Sequence, residues 1–167
     1  MYSIGDVVMY KNIGVCEIVD IVEREDYDSV EKYYMLKPMN DDRSTIFVNI
    51  NNKKVMMRYL LPAEEVEAIV NGIEDIDGYY CDNDRERDLH LKELINSGVT
   101  TCWVEVIKGL YDRRQERNKK GKDLSQVEER MFKTAEKLFY SEVAYTLDIP
   151  FNEVDAYINE RVGHSIA

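Results

Sequence analysis

Proline and glycine are scarce in this 167-residue chain, at three and eight residues, which argues against a disordered or fibrous protein. No run approaches the roughly 18 apolar residues of a membrane span. The opening MYSIGDVVMY has neither a basic n-region nor a continuous apolar stretch, so neither secretion nor membrane insertion is expected. Cysteine is sparse as well. Cys16, Cys81 and Cys102 lie far apart without a C-x-x-C, and only His90 and His164 could assist them, so reduced cytoplasmic thiols are expected and a zinc site is not. The glycines never form a dinucleotide or phosphate loop, and no G-x-S-x-G or H-E-x-x-H occurs. No catalytic residue, metal or cofactor is therefore nominated, and a non-enzyme is expected.

What is present is charge and two contrasting patterns. Acidic residues outnumber basic ones 33 to 22, for a net −11, while 44% hydrophobic residues suffice for a core. The length suits one domain or two small ones. Residues 1–61 contain short runs rich in Val, Ile and Tyr at 7–10, 15–22, 33–36, 45–48 and 55–60, separated by turn-formers. Such spacing predicts five strands in a small antiparallel barrel or curled sheet.

From Pro62 the apolar period becomes helical. Pro62 suits the first position of a helix that ends before Gly72. Asp82 or Asn83 can cap a second, which carries Leu89, Leu91, Leu94 and Ile95 and stops at Gly98. Thr100 or Thr101 opens a third, with Trp103, Val106, Ile107 and Leu110 on its inner stripe. Ser125 and Glu128 form a capping box for a fourth, whose inner face reads Val127, Met131, Ala135, Leu138 and Phe139. Asp148 and Pro150 start a fifth. The fold class is α+β: a barrel over residues 1–61, then a compact bundle of about five helices over 62–167.

Charge is uneven. Residues 1–79 balance at −8 and residues 80–167 at −3. Within 108–122, Lys108, Arg113, Arg114, Arg117, Lys119, Lys120 and Lys122 face only Asp112 and Glu116. A helix C-terminus favours cations, but hardly seven. On the fourth helix Arg130, Lys133 and Lys137 form a stripe opposite the apolar face. With Arg85 and Arg87, these groups are expected to converge on one phosphate-binding face, weak alone in so acidic a chain and of little sequence preference. Separate faces would favour an adaptor whose helical part docks a protein.

Residues 3–18, SIGDVVMYKNIGVCEI, resemble the opening of the CarD/CdnL family, roughly F-x-x-G-D-x-V-V-Y-x-x-x-G-V-G-x-I. Tyr33 to Lys37, Thr45 to Val48 and Met57 to Leu60 continue the likeness in order. The same Tudor/SH3-like module occurs in the transcription-repair coupling factor. Residues 110–117, LYDRRQER, and 125–142 are similar to the helical second domain of CarD proteins.

The resemblance implies a cytoplasmic bacterial transcription regulator, monomeric and without catalysis. It would hold the RNA polymerase β subunit with its first domain and touch promoter DNA, at the upstream edge of the melted bubble, with its second. Arg24 matches a family arginine in the loop after the second strand; Thr45 and Phe47 complete the implied polymerase contact. Left to itself, Arg24 would pair with Glu23 or Glu25. Asn83 falls where the family carries a wedging Trp, and Arg85 matches one of the basic residues after it. An Asn lacks the stacking area of an indole, so the wedge is weakened or absent. The remaining DNA-contacting positions expected are Arg87, Arg113, Arg114, Arg117, Lys119, Lys120, Arg130, Lys133 and Lys137.

Overall fold

A computed structural model describes residues 1–167, which divide into two compact units, Met1–Leu60 and Leu61–Ala167. The first unit is one antiparallel sheet of five strands: β1 (Val7–Tyr10), β2 (Gly14–Asp26), β3 (Ser29–Pro38), β4 (Ile46–Asn49) and β5 (Met57–Tyr59). Their order is β4-β3-β2-β1-β5, so β4 and β5 are the edges and no ladder closes them into a barrel. Gly14, at φ +103, lets the chain reverse tightly between β1 and β2.

Alternation buries Val8, Tyr10, Cys16, Ile18, Tyr34, Leu36 and Val48 on one face. A bulge between Ile18 and Asp20 maintains that pattern: Ile18 pairs Leu36, Val19 is the extra residue, and Asp20 pairs Met35. Without it, strict alternation from Cys16 and Ile18 would drive Asp20 into the core; with it, Ile21 takes the inner side opposite Tyr34. A register shift here decides which face every later β2 residue occupies.

The second unit is helical: α1 (Ala63–Asn71), α2 (Asp84–Asn96), α3 (Thr100–Lys119), α4 (Gln126–Leu147) and α5 (Val154–Val162), with single 3-10 turns at Ile73–Asp75 and Phe151–Glu153. α4 is the central element, packing against the other four. Pro62 stands just before α1 as its N-cap, one residue earlier than the sequence reading placed it. Trp103 is wholly buried and donates its indole N–H to Ile95 O at 3.0 Å. Phe132 lies inward on α4 while Val127, expected on the inner face, is 42% exposed, because its neighbour Glu128 takes the side facing α2 and α3. The buried Glu142 carboxylate accepts from Thr100 Oγ1 and from the Leu61 amide, tying the entry of the unit to α4.

The extended segment before α2 lies on α3 at a contact only glycine permits. A Cβ on Gly109 would fall 2.1 Å from Tyr79 O, and one on Gly78 2.6 Å from Gly109 N. The Tyr79 amide donates to Glu105 O at 3.0 Å, fixing the segment. Lys108 also serves this packing, its ammonium donating to Ile73 O and Ile76 O.

Candidate functional site

On the sheet face turned away from the core, alternation places Val22 and Arg24 of β2, Glu31, Tyr33 and Met35 of β3, and Phe47 and Asn49 of β4. The Arg24 guanidinium lies 4.0 Å from the centroid of the Phe47 ring and 5.5 Å from that of Tyr33. Such cation–π contacts at exposed sites contribute about 0.5–1 kcal/mol, enough to bias the side chain flat over the rings. Glu31 braces the patch from β3, accepting from Tyr33 Oη at 2.9 Å and Asn49 Nδ2 at 2.7 Å. That hydrogen bond to a carboxylate raises the Tyr33 hydroxyl above its ordinary pKa and keeps it a donor.

Arg24 sits inside β2 and not in a loop after it, because the β2–β3 ladder runs out to Asp26 and Ser29. Nor is it matched with a neighbouring carboxylate: alternation sends Glu23 to the other face, where it pairs with Lys32 at 3.3 Å. Thr45 is exposed just before β4, and Phe47 is 39% exposed on it. Glu31, Tyr33, Met35 and Asn49 were missed by the sequence reading. Their signal was the period of two around the buried Tyr34 and Leu36, which puts Glu31, Tyr33 and Met35 on the opposite face.

In the helical unit most of the arginines are already engaged. Asn83 is the N-cap of α2, its side chain accepting from the Glu86 amide at 3.0 Å, and it is flanked by the exposed Asp82, Asp84 and Glu86. Arg87 is buried, donating to Cys81 O at 2.9 Å, Asp84 Oδ1 at 2.7 Å and Glu128 Oε1 at 2.9 Å. Burial opposes its charge, but the hydrogen bonds to Asp84 and Glu128 outweigh it and raise its pKa. The same contact holds the Asp84 carboxyl below its usual range. Arg87 is therefore a fold-stabilising group turned away from solvent, contrary to the phosphate contact expected for it.

Arg113 and Arg114 are similarly occupied. Arg113 Nε donates to Glu128 at 3.0 Å; Arg114 Nη2 donates to both Glu129 carboxylate oxygens, at 2.8 and 2.9 Å, and its guanidinium lies 4.4 Å from the Phe132 centroid. Arg117 Nε donates to Asp123 O at 2.6 Å, closing the α3–α4 turn. Glu128 is thus a hub joining the starts of α2 and α4 to the far half of α3, and it completes the capping box with Ser125.

The exposed cations of this unit are Arg85, Lys92, Lys119, Lys120, Lys122, Arg130, Lys133, Lys137 and Arg161. Three of them crowd the α3–α4 turn, where Gly121 takes φ +70. At 100° per residue, Arg130, Lys133 and Lys137 lie roughly 140–200° around α4 from Glu128. The expected convergence therefore splits: the arginine cluster faces carboxylates, while the lysine-rich tip and the outer side of α4 face solvent. Point charges there suit phosphate oxygens, and no side-chain arrangement for reading base edges accompanies them.

Residues 2–60 match the family model described as the CarD-like/TRCF RID domain, and residues 80–159 match the CarD C-terminal domain. No curated protein matches the chain.

Proposed function

The chain belongs to the CarD family of RNA polymerase-interacting transcription regulators, and on that premise we propose that it binds the polymerase β subunit and stabilises the open promoter complex. The observation that carries this reading is the Arg24–Phe47 patch beside an open sheet edge, inside the matched first domain. One side of β4 pairs with β3 and the other has no partner strand, so its backbone groups are available to a strand of the partner. Thr45 and Phe47, two residues apart, stand on the same side of that edge and can select the partner's side chains. Arg24, flattened on Phe47, adds a charge whose position is set before binding.

The helical unit would reach promoter DNA through Lys119, Lys120, Lys122 and Arg130 at the α3–α4 tip, with Lys133 and Lys137 continuing along α4. Net charge of −11 makes this contact weak in isolation. Held on polymerase it gains effective concentration, and it favours the melted complex only to the extent that it binds that state better. The protein acts in the cytoplasm, as a monomer and without catalysis. A second reading, an adaptor docking another protein, is favoured by the split of the basic groups onto separate faces, by the pairing of Arg113 and Arg114 with carboxylates and by the acidic surroundings of Asn83.

The open-complex half-life on a linear promoter, with polymerase and saturating protein, tests the proposal. The half-life is expected to lengthen, the effect to vanish with Arg24→Ala and Phe47→Ala together, and to shrink with Lys119, Lys120 and Lys122 changed to Glu. An unchanged half-life with the lysine variant, polymerase binding intact, would establish the adaptor instead.

A further inference from the structure

β2 and β3 are longer than the sheet that contains them. β1 pairs only with β2 residues 14–17 and β4 only with β3 residues 33–36, and the Ile50 amide past β4 donates to Lys32 O at 3.0 Å, so the backbones of residues 24–26 and 29–31 pair with each other alone. Three residue pairs at 3.3 Å each make a ribbon projecting about 10 Å. Residues 23–30 are exposed along its whole length. At the turn Tyr27 is fully exposed, and Val30 beside it is 59% exposed. A two-stranded ribbon is marginal in water, and an uncovered ring at its tip contributes nothing to folding. Large rigid aromatics at an exposed apex are what protein interfaces use as anchors.

Charge narrows the partner. Glu23, Glu25, Asp26, Asp28 and Glu31 face only Arg24 and Lys32 in this ribbon. Both cations are already engaged, Arg24 on Phe47 and Lys32 with Glu23. The tip is thus a tyrosine between two aspartates in a negative field, which repels phosphate and excludes nucleic acid as the occupant. The complementary surface is an apolar pocket rimmed by Lys or Arg on a protein. Arg24 belongs both to the ribbon and to the Phe47 patch, so the two surfaces are continuous.

We propose that the β2–β3 ribbon is a second anchor on the polymerase β subunit, with the Tyr27 ring entering an apolar, basic-rimmed pocket. This rests on the polymerase-binding reading above. The full-length chain and core RNA polymerase, followed by biolayer interferometry, test it with Tyr27→Ser, Tyr27→Phe, the pair Asp26→Asn and Asp28→Asn, and Arg24→Ala as reference. Tyr27→Ser is expected to weaken binding roughly tenfold, mainly through faster dissociation, as loss of an aromatic anchor does. Tyr27→Phe should stay within about twofold, because the ring is kept. The paired Asn variant should slow association and flatten its salt dependence. Circular dichroism melts should be unchanged, the ring being uncovered in the free protein. If Arg24→Ala weakens binding while Tyr27→Ser does not, the second anchor is refuted and the polymerase reading stands. If the unmodified chain fails to bind polymerase, both fall.

Discussion

Replacing Glu128 with Ala removes the carboxylate on which α2, α3 and α4 converge. Its side chain is 3% exposed and that of Arg87 5%, and Arg113 also donates to it. Breaking a buried ion pair from one side costs about 3–5 kcal/mol, because the remaining charge stays desolvated. Arg87 retains Asp84, itself well exposed to water, so the lower end applies. Loss of the reciprocal bond to the Ser125 amide adds to it. A net loss of about 3 kcal/mol is expected, a large share of the usual 5–15 kcal/mol of a domain. For roughly a hundred residues that lowers Tm by about 10–25 °C. Trp103, the only tryptophan and buried in the helical unit, reports urea unfolding of that unit by fluorescence. Arg130→Ala, at an exposed site, should stay within about 0.5 kcal/mol of the parent. Glu128→Gln combined with Arg87→Met should recover part of the loss, since both buried charges go together. A loss below about 1 kcal/mol for Glu128→Ala would show that the hub is not what holds these helices in place.

Gly109→Ala, which in an exposed helix interior would stabilise by up to about 1 kcal/mol, should instead destabilise by about 1–3 kcal/mol in the same urea assay, since its Cβ meets Tyr79 O at 2.1 Å. Asn83→Trp should cost about 1 kcal/mol of stability by loss of the cap, and Asn83→Ser should cost little, both read by thermal melts. His164 contacts the Ser165 carbonyl and Glu74, which raise its pKa above the ordinary 6.5. The sign follows from that direction: the attachment of residues 165–167 is fully present below pH 6.5 and weakens as pH rises through the folded pKa. Amide exchange at Ile166 and Ala167 should therefore be slower at pH 5.5 than at pH 8 after correction for intrinsic rates, and His164→Gln should abolish that difference.

The strands and helices were legible because each is announced locally. Short β-branched runs between turn-formers gave the sheet, and the Ser125–Glu128 box gave the start of α4 to the residue. Trp103 was readable as core from its place on an apolar stripe. What escaped depends on partners distant in the chain. Arg87 looks like any helical arginine until Glu128, 41 residues later, is brought against it. Gly109 carries no local sign that Tyr79 crosses it. Arg24 was assigned to a loop because β2 and β3 outrun their neighbours, a length that residues 23–30, polar and exposed, do not advertise. That Arg24 shares a face with Tyr33 and Phe47 depended on the bulge at Val19, where one inserted residue reverses inside and outside for the rest of β2.

Polymerase binding is the claim on which the rest depends, and equilibrium binding of the full-length chain to core RNA polymerase measures it directly. Saturable one-to-one binding is expected, lost when Arg24→Glu and Phe47→Glu are introduced together and retained when Lys119, Lys120 and Lys122 are changed to Glu. Absence of saturable binding by the unmodified chain, or binding indifferent to Arg24 and Phe47 but abolished by the lysine changes, would contradict the account.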